Sequence, residues 1–226
     1  MATEAMSNFA TDCTDLHRLE PLRMKFICIG RNYAEHAKEM NSPVPTEPVL
    51  FLKPETAYLK PGEAFYIPEF SNEIHHEIEI VLRFDKMGKF IDKQFANKYY
   101  TEIGLGIDFT ARDVQAKCKE KGLPWEKAKA FDHSAPLGRF LPVHSFTDLN
   151  NIDFRLDING KTVQKGNTKD LIFKFDELVA YASKFFTFKK GDYLFTGTPE
   201  GVGPVKIGDR LEGYIGEQKL LDLEIK

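Results

Sequence analysis

The chain has 226 residues, 42% of them hydrophobic and 12% aromatic, which is enough apolar material for one domain with a sizeable core. Its formal charge of −3 shows no basic excess and argues against nucleic acid as a partner. No apolar run approaches the roughly 18 to 20 residues that cross a bilayer, and three scattered cysteines (Cys13, Cys28, Cys118) without C-x-x-C spacing fit idle thiols in a reducing compartment.

Residues 1–23 mix acids with arginines and have no apolar h-region. They read as an extension, partly disordered or docked on the surface, ahead of a domain spanning 24–226, and as neither a signal nor a transit peptide. From Lys25, KFICIG predicts a buried strand ending at Gly30. RNYAEHAKEM predicts a helix capped by Asn32 and running to about Met40. On it, His36 and Glu39 stand at i and i+3, share a face and can hydrogen-bond. A histidine oriented by a carboxylate is a general-base arrangement, because the acid fixes the tautomer and steadies the imidazolium; the same pair also occurs on ordinary surface helices. NSPVPTEP stops the helix and returns the chain to the strand VLFLKP, and AFYIP predicts a short strand leading into IHHEIEIVL.

Period two along IHHEIEIVL puts Glu77 and Glu79, with His75, on one side and Ile74, His76, Ile78, Ile80 and Leu82 on an apolar side. Two carboxylates about 7 Å apart along a strand can converge on one small ion. Asp108, near the end of the glycine-bearing strand TEIGLGIDF, can complete the set. Hard oxygen ligands of that kind suit Mg²⁺ or Mn²⁺ rather than zinc. Taken alone, an E-x-E pair on a half-buried strand is ordinarily its solvated face.

MGKFIDKQFANKYY predicts a turn and a short helix over Asp92 to Tyr100, and the glycines of TEIGLGIDF allow close backbone approach. TARDVQAKCKEKG predicts a helix closed by Gly122, with Arg112 and Gln115 on its first turns. LPWEKAKAFDHSAP reads as extended or looped, with Lys127 and Lys129 on one face. GRFLPV is a short strand, and NIDFRLDINGKTVQKGN is a hairpin about a type I′ turn at Asn159-Gly160. DELVAYASKFFTF predicts an amphipathic helix, followed by strand, glycine-rich loop and turn in KKGDYLFTGTPEGVGPVKIGD. That loop is no dinucleotide fingerprint, since Pro204 follows it and no helix opens there. Its amides, with the Thr196 and Thr198 hydroxyls, can still bind a carboxylate. DRLEGYIG and KLLDLEIK close the chain as a second hairpin. The sum is α+β, strand-rich with short helices and mainly antiparallel, unlike a doubly wound sheet.

The ordered set ICIGRNYAEHAKEM, PVLFLKP, HHEIEIVL, GIDFTARDVQ, LPWEKAKAFD and TGTPEGVGPV resembles the fumarylacetoacetate hydrolase superfamily, in particular its acylpyruvase and oxaloacetate decarboxylase branch. The likeness runs from about Lys25 to the C-terminus. It implies a mixed β-roll of α+β type, usually a homodimer, in which the helix bearing His36 orders as a lid. It also implies that Glu77, Glu79 and Asp108 bind Mg²⁺ or Mn²⁺ and that the His36–Glu39 pair activates water. Lys129 and Gln115 would help hold a small 2-oxo acid substrate, with Lys129 polarising its distal oxygen or binding its far end, while Thr198 meets the carboxylate and Arg31 lines the site.

The activity implied is metal-dependent cleavage of the C–C bond of an acylpyruvate to a carboxylate and pyruvate, with decarboxylation of oxaloacetate on the same chelate. Alternatives on the same acid triad are a 2-hydroxyhepta-2,4-diene-1,7-dioate isomerase/decarboxylase, a fumarylpyruvate hydrolase and an oxaloacetate tautomerase; a metal-binding module without turnover is a further one. Eukaryotic members of this branch are mitochondrial, and residues 1–23 do not read as a transit peptide, so the expected location is bacterial cytoplasm.

Overall fold

The computed structural model of the chain describes residues 24–40 and 43–226; the reading of residues 1–23 as an extension lies outside them. In chain order the elements are β1 (Phe26–Gly30), α1 (Ala34–Glu39), β2 (Val49–Lys53), β3 (Tyr58–Leu59), β4 (Ile74–His76), β5 (Ile78–Phe84), β6 (Tyr100–Ile107), β7 (Thr110–Ala111), α2 (Arg112–Glu120) and α3 (Glu126–Lys129). They continue as β8 (Ala135–Pro142), β9 (Asp153–Ile158), β10 (Lys161–Asn167), α4 (Phe175–Ala182), β11 (Tyr193–Phe195), β12 (Gly203–Pro204), β13 (Arg210–Ile215) and β14 (Gln218–Glu224). The architecture is a strand-rich α+β mixed β-roll. A seven-stranded sheet runs β2-β1-β11-β5-β6-β8-β3, beside a four-stranded sheet β10-β9-β13-β14 and a three-stranded one β12-β4-β7. Pairing is antiparallel except for β1 with β11 and β3 with β8.

Period-two alternation builds two cores on the large sheet. Ile27 and Ile29 of β1, with Ile80 and Leu82 of β5, face the larger core; Phe26, Cys28, Val81 and Phe195 face the smaller one. Both faces are therefore covered, which is why β1 reads as a continuous apolar run. Asn159 and Gly160 both adopt positive φ, 52° and 77°, as the type I′ turn between β9 and β10 requires. Cys28 and Cys118 are free and buried; Cys13 lies outside the described residues. Among the described residues no helix is long and apolar enough to cross a membrane.

Several local expectations need correction. Helix α1 starts after Tyr33, not Asn32. The buried Asn32 side chain instead donates to Phe173 O (3.0 Å) and Thr196 O (2.8 Å) and accepts from Phe173 N (2.8 Å), stitching β1 to two distant loops. AFYIP supplies only one bridge, Phe65 to Ile225. The Asp92 region is a 3₁₀ helix over Lys93–Lys98, capped by the Asp92 side chain. WEKAK closes into α3, so Lys127 and Lys129 part: Lys127 is exposed and Lys129 is buried. The glycines of β6 admit aromatic rings rather than backbone. A Cβ on Gly106 would lie 2.6 Å from the Phe195 ring, and one on Gly104 2.8 Å from that of Phe140.

Candidate active site

The acidic strand breaks at Glu77. Its first part, β4, belongs to the three-stranded sheet and its second, β5, to the seven-stranded one. Gln164 of β10 holds the break: its Oε1 accepts from Ile78 N (3.0 Å) and from His76 Nδ1 (2.9 Å), and its Nε2 donates to Thr198 Oγ1 (2.9 Å). Because burial lowers the His76 pKa, the neutral ring with its proton on Nδ1 fits this bond. Register then brings the acids together. Ile78 pairs with Ile107, so Glu77 lies opposite Asp108, whose N–H donates to Glu77 O at 2.9 Å. One ligand oxygen each from Glu77, Glu79 and Asp108 falls within 4.8 Å of the others, with the residues only 5, 2 and 1% exposed.

Cations compensate this buried charge unevenly. Lys129 Nζ donates to Glu77 Oε2 (2.8 Å) and Asp108 Oδ2 (2.6 Å), and Arg112 Nη2 donates to Glu77 Oε1 (2.6 Å). Burial alone would raise the Glu77 pKa, but Lys129 and Arg112 outweigh it and hold the carboxyl well below the usual range. Burial would likewise push the Lys129 ammonium down, yet Asp108 and Glu77 keep its pKa raised and the group charged. Glu79 has no cationic partner among the described residues; its Oε2 accepts from Gly197 N at 2.6 Å. Burial and the neighbouring Asp108 push its carboxyl well above the usual range.

Lys53, fully buried, lies 2.7 Å from Asp108 Oδ1 as an ion pair off the hydrogen-bonding direction, and that oxygen accepts no hydrogen bond. A buried Glu79 carboxylate without a cationic partner among the described residues, with two further carboxylates converging on it, fits a divalent cation. The all-oxygen donor set suits Mg²⁺ or Mn²⁺.

His36 lines the same pocket as the triad, together with Arg31, Gln115, Lys129 and Thr198. Eight of the nine residues expected at the site thus line this pocket, and the ninth, Glu39, stands behind His36: its Oε2 lies 3.1 Å from His36 Nδ1, and Gly201 N donates back to the carboxylate at 3.1 Å. Gln115 Oε1 accepts from Arg112 Nη1 at 2.8 Å. The threonines of the glycine-rich loop also hold that loop to the sheet. Thr196 Oγ1 donates to Ile80 O (2.9 Å) and Thr198 Oγ1 to Ile78 O (2.8 Å), tying the loop to β5. Gly197 between them adopts φ +104°, which aims its N–H at Glu79.

Sequence reasoning gave no role to Lys53, Arg112, Lys119, Trp125 or Gln164. A lysine ending the apolar strand VLFLK was the one available signal, since a strand buried on both faces leaves a lysine at its end needing an acid.

Three comparisons bear on this geometry. Residues 25–224 match the family described as fumarylacetoacetate (FAA) hydrolase, C-terminal. An oxaloacetate tautomerase of Escherichia coli (strain K12) is 47% identical over 188 residues, covering 83% of this chain and 86% of its own. The mitochondrial oxaloacetate tautomerase of Bos taurus is 43% identical over 189 residues, covering 84% and 86%. The crystal structure of fumarylpyruvate hydrolase from Pseudomonas aeruginosa, in complex with Mn²⁺ and pyruvate, superposes with a TM-score of 0.84 at 36% identity, covering 90% of this chain and 89% of that one.

Proposed function

The chain belongs to the fumarylacetoacetate hydrolase family, and on that premise we propose that residues 24–226 form a divalent-cation-dependent enzyme that enolises a small 2-oxo acid, with oxaloacetate as substrate. The observation carrying this reading is the buried carboxylate triad with the Lys129 ammonium against it, in the pocket that also holds His36. A cation held by Glu77, Glu79 and Asp108 would supply Lewis-acid stabilisation for charge developing on a 2-oxo oxygen. Mg²⁺ and Mn²⁺ both suit these oxygens, and the Mn²⁺ of the Pseudomonas aeruginosa relative supports the class.

The residues then divide the work. His36 keeps its Nδ1 proton on Glu39, which leaves Nε2 to take a proton from C3 of oxaloacetate and return it to the substrate's oxygen. Glu39, itself fixed by Gly201 N, sets that tautomer and steadies the imidazolium. Lys129 adds a fixed positive charge beside the reacting oxygens, and Gln115 and Arg31 line the space where substrate lies.

Hydrolytic cleavage of an acylpyruvate is the second reading, favoured by the His36–Glu39 pair, which is equally suited to deprotonating water for attack on the distal carbonyl. In both reactions the electrons left on carbon become an enolate. Decarboxylation of oxaloacetate would generate the same charge with no attacking water. The isomerase/decarboxylase alternative shares the triad and makes no use of a water-activating pair. Cytoplasmic location and a homodimer belong to the same proposal, and light scattering on the purified chain checks the second.

The test is an ultraviolet assay of oxaloacetate keto–enol exchange and of acetylpyruvate loss, with Mg²⁺, with Mn²⁺ and with chelator. Metal-dependent acceleration of the exchange is expected. Acetylpyruvate loss without any effect on oxaloacetate exchange would favour the hydrolase, and no metal-dependent change in either would refute enolisation.

A further inference from the structure

Among the described residues, two cations in the pocket have no acidic ion-pair partner. Arg112 and Lys129 pair with the triad, but Arg31 and Lys119 form no ion pair among the described residues. Both lie over one indole. The Arg31 guanidinium carbon is 5.9 Å and Lys119 Nζ 5.8 Å from the centroid of Trp125, whose ring is backed by Phe51 at 6.4 Å.

Arg31 reaches this position directly after β1 by adopting φ +61°, in the left-handed region that an L side chain enters only where its surroundings impose it. Burial, Arg112, Arg31 and Lys129 together depress the Lys119 pKa, so these positive charges feel one another. Like charges gathered on one aromatic wall repel, and an anion placed among them relieves the repulsion.

We propose that Arg31, Lys119 and Trp125 form a subsite for the distal carboxylate of a dicarboxylic 2-oxo acid, and that this subsite selects diacids over acylpyruvates ending in an alkyl group. The inference rests on the reading given above, in which the 2-oxo acid end of the substrate lies at the triad; the other end of a four-carbon chain then falls toward the pocket mouth. Trp125 and Phe51 alone would favour an apolar acyl tail, and two unpaired cations against the indole make that tail the poorer occupant.

Calorimetric titration of the full chain with Mg²⁺ present, using malate and lactate, tests this. The two acids share a 2-hydroxy acid headgroup and differ in whether the end of the chain carries a carboxylate. The wild-type protein is expected to bind malate about tenfold or more tightly than lactate, with the ratio shrinking as salt rises. Lys119→Met should lower that ratio about tenfold, and Arg31→Gly, which keeps the left-handed turn while removing the guanidinium, should lower it as well.

Equal wild-type affinity for malate and lactate, tighter binding of 2-hydroxyhexanoate than of malate, or a Lys119→Met variant that weakens both acids alike would overturn the subsite alone. No Mg²⁺-dependent binding of either acid would overturn the reading of the triad and the subsite with it.

Discussion

Replacing Lys53 by Met removes a charge the triad depends on while nearly preserving volume. The side chain is fully buried, lies 2.7 Å from Asp108 Oδ1, and donates to Ser134 O (2.8 Å) and Ser134 Oγ (3.0 Å). Breaking a buried pair by deleting one partner costs about 3–5 kcal/mol. Asp108 keeps Lys129 at 2.6 Å and the Ser134 carbonyl keeps Phe109 N at 3.0 Å, which puts the loss at the lower end of that range. The expected destabilisation of the metal-free protein is therefore about 3 kcal/mol.

Urea unfolding in chelator, followed by the fluorescence of Trp125, the sole tryptophan, measures it. Metal at 100 times its dissociation constant should add about 2.7 kcal/mol to the wild type and less to the variant at the same concentration, because Asp108 has lost its anchor. Adding Asp108→Asn to the variant should restore part of the loss, since the unpaired charge disappears with it. A loss below about 1 kcal/mol for Lys53→Met would refute the claim that this lysine neutralises the site.

His36→Ala should lower acetylpyruvate hydrolysis, if present, by about 10²- to 10⁴-fold while Mn²⁺ affinity, measured by calorimetry, stays near wild type; hydrolysis at the wild-type rate would remove His36 as the base. Gly197→Ala meets both φ +104° and Asn32 Cβ at 2.7 Å. It should destabilise the protein by about 2 kcal/mol and, by displacing the N–H that orients Glu79, weaken metal binding about tenfold or more; unchanged calorimetric values for both would contradict the second. Asp222 is held down to about 2 by its hydrogen bond from Arg210 and by Lys219. Its folded pKa lies below the unfolded value near 4, so its contribution is complete above that pH and is lost as pH falls from there toward 2. Asp222→Asn should flatten the slope of stability against pH in that window, as read from acid-unfolding curves.

What the sequence disclosed was whatever depends on neighbours in the chain. Asn159-Gly160 specifies its turn by itself, the alternation in β1 and β5 declares two buried faces, and His36 with Glu39 is a contact within a single turn of α1. Glu77, Glu79 and Asp108 were legible as a set, but the break in the acidic strand was not, because it depends on Gln164 from a hairpin more than eighty residues away. Asn32 looked like a helix cap and became a long-range stitch for the same reason: its best partners, Phe173 and Thr196, are distant in sequence. Lys129 was identified through family likeness, while its own surroundings suggested a loop. Only the acids waiting for it favour a four-residue helix that carries a lysine inward.

The pocket is assembled from chain segments that scarcely overlap. The carboxylates sit on the β4–β6 framework, the proposed base on the stretch after β1, and the groups proposed to sense a ligand's far end lie mostly between Arg112 and Lys129. Rewriting α2, α3 and their connection would therefore change which molecules are admitted without disturbing the framework proposed to grip the ion. A lineage built this way can trade clientele cheaply, which is consistent with a tautomerase and a fumarylpyruvate hydrolase sharing one scaffold.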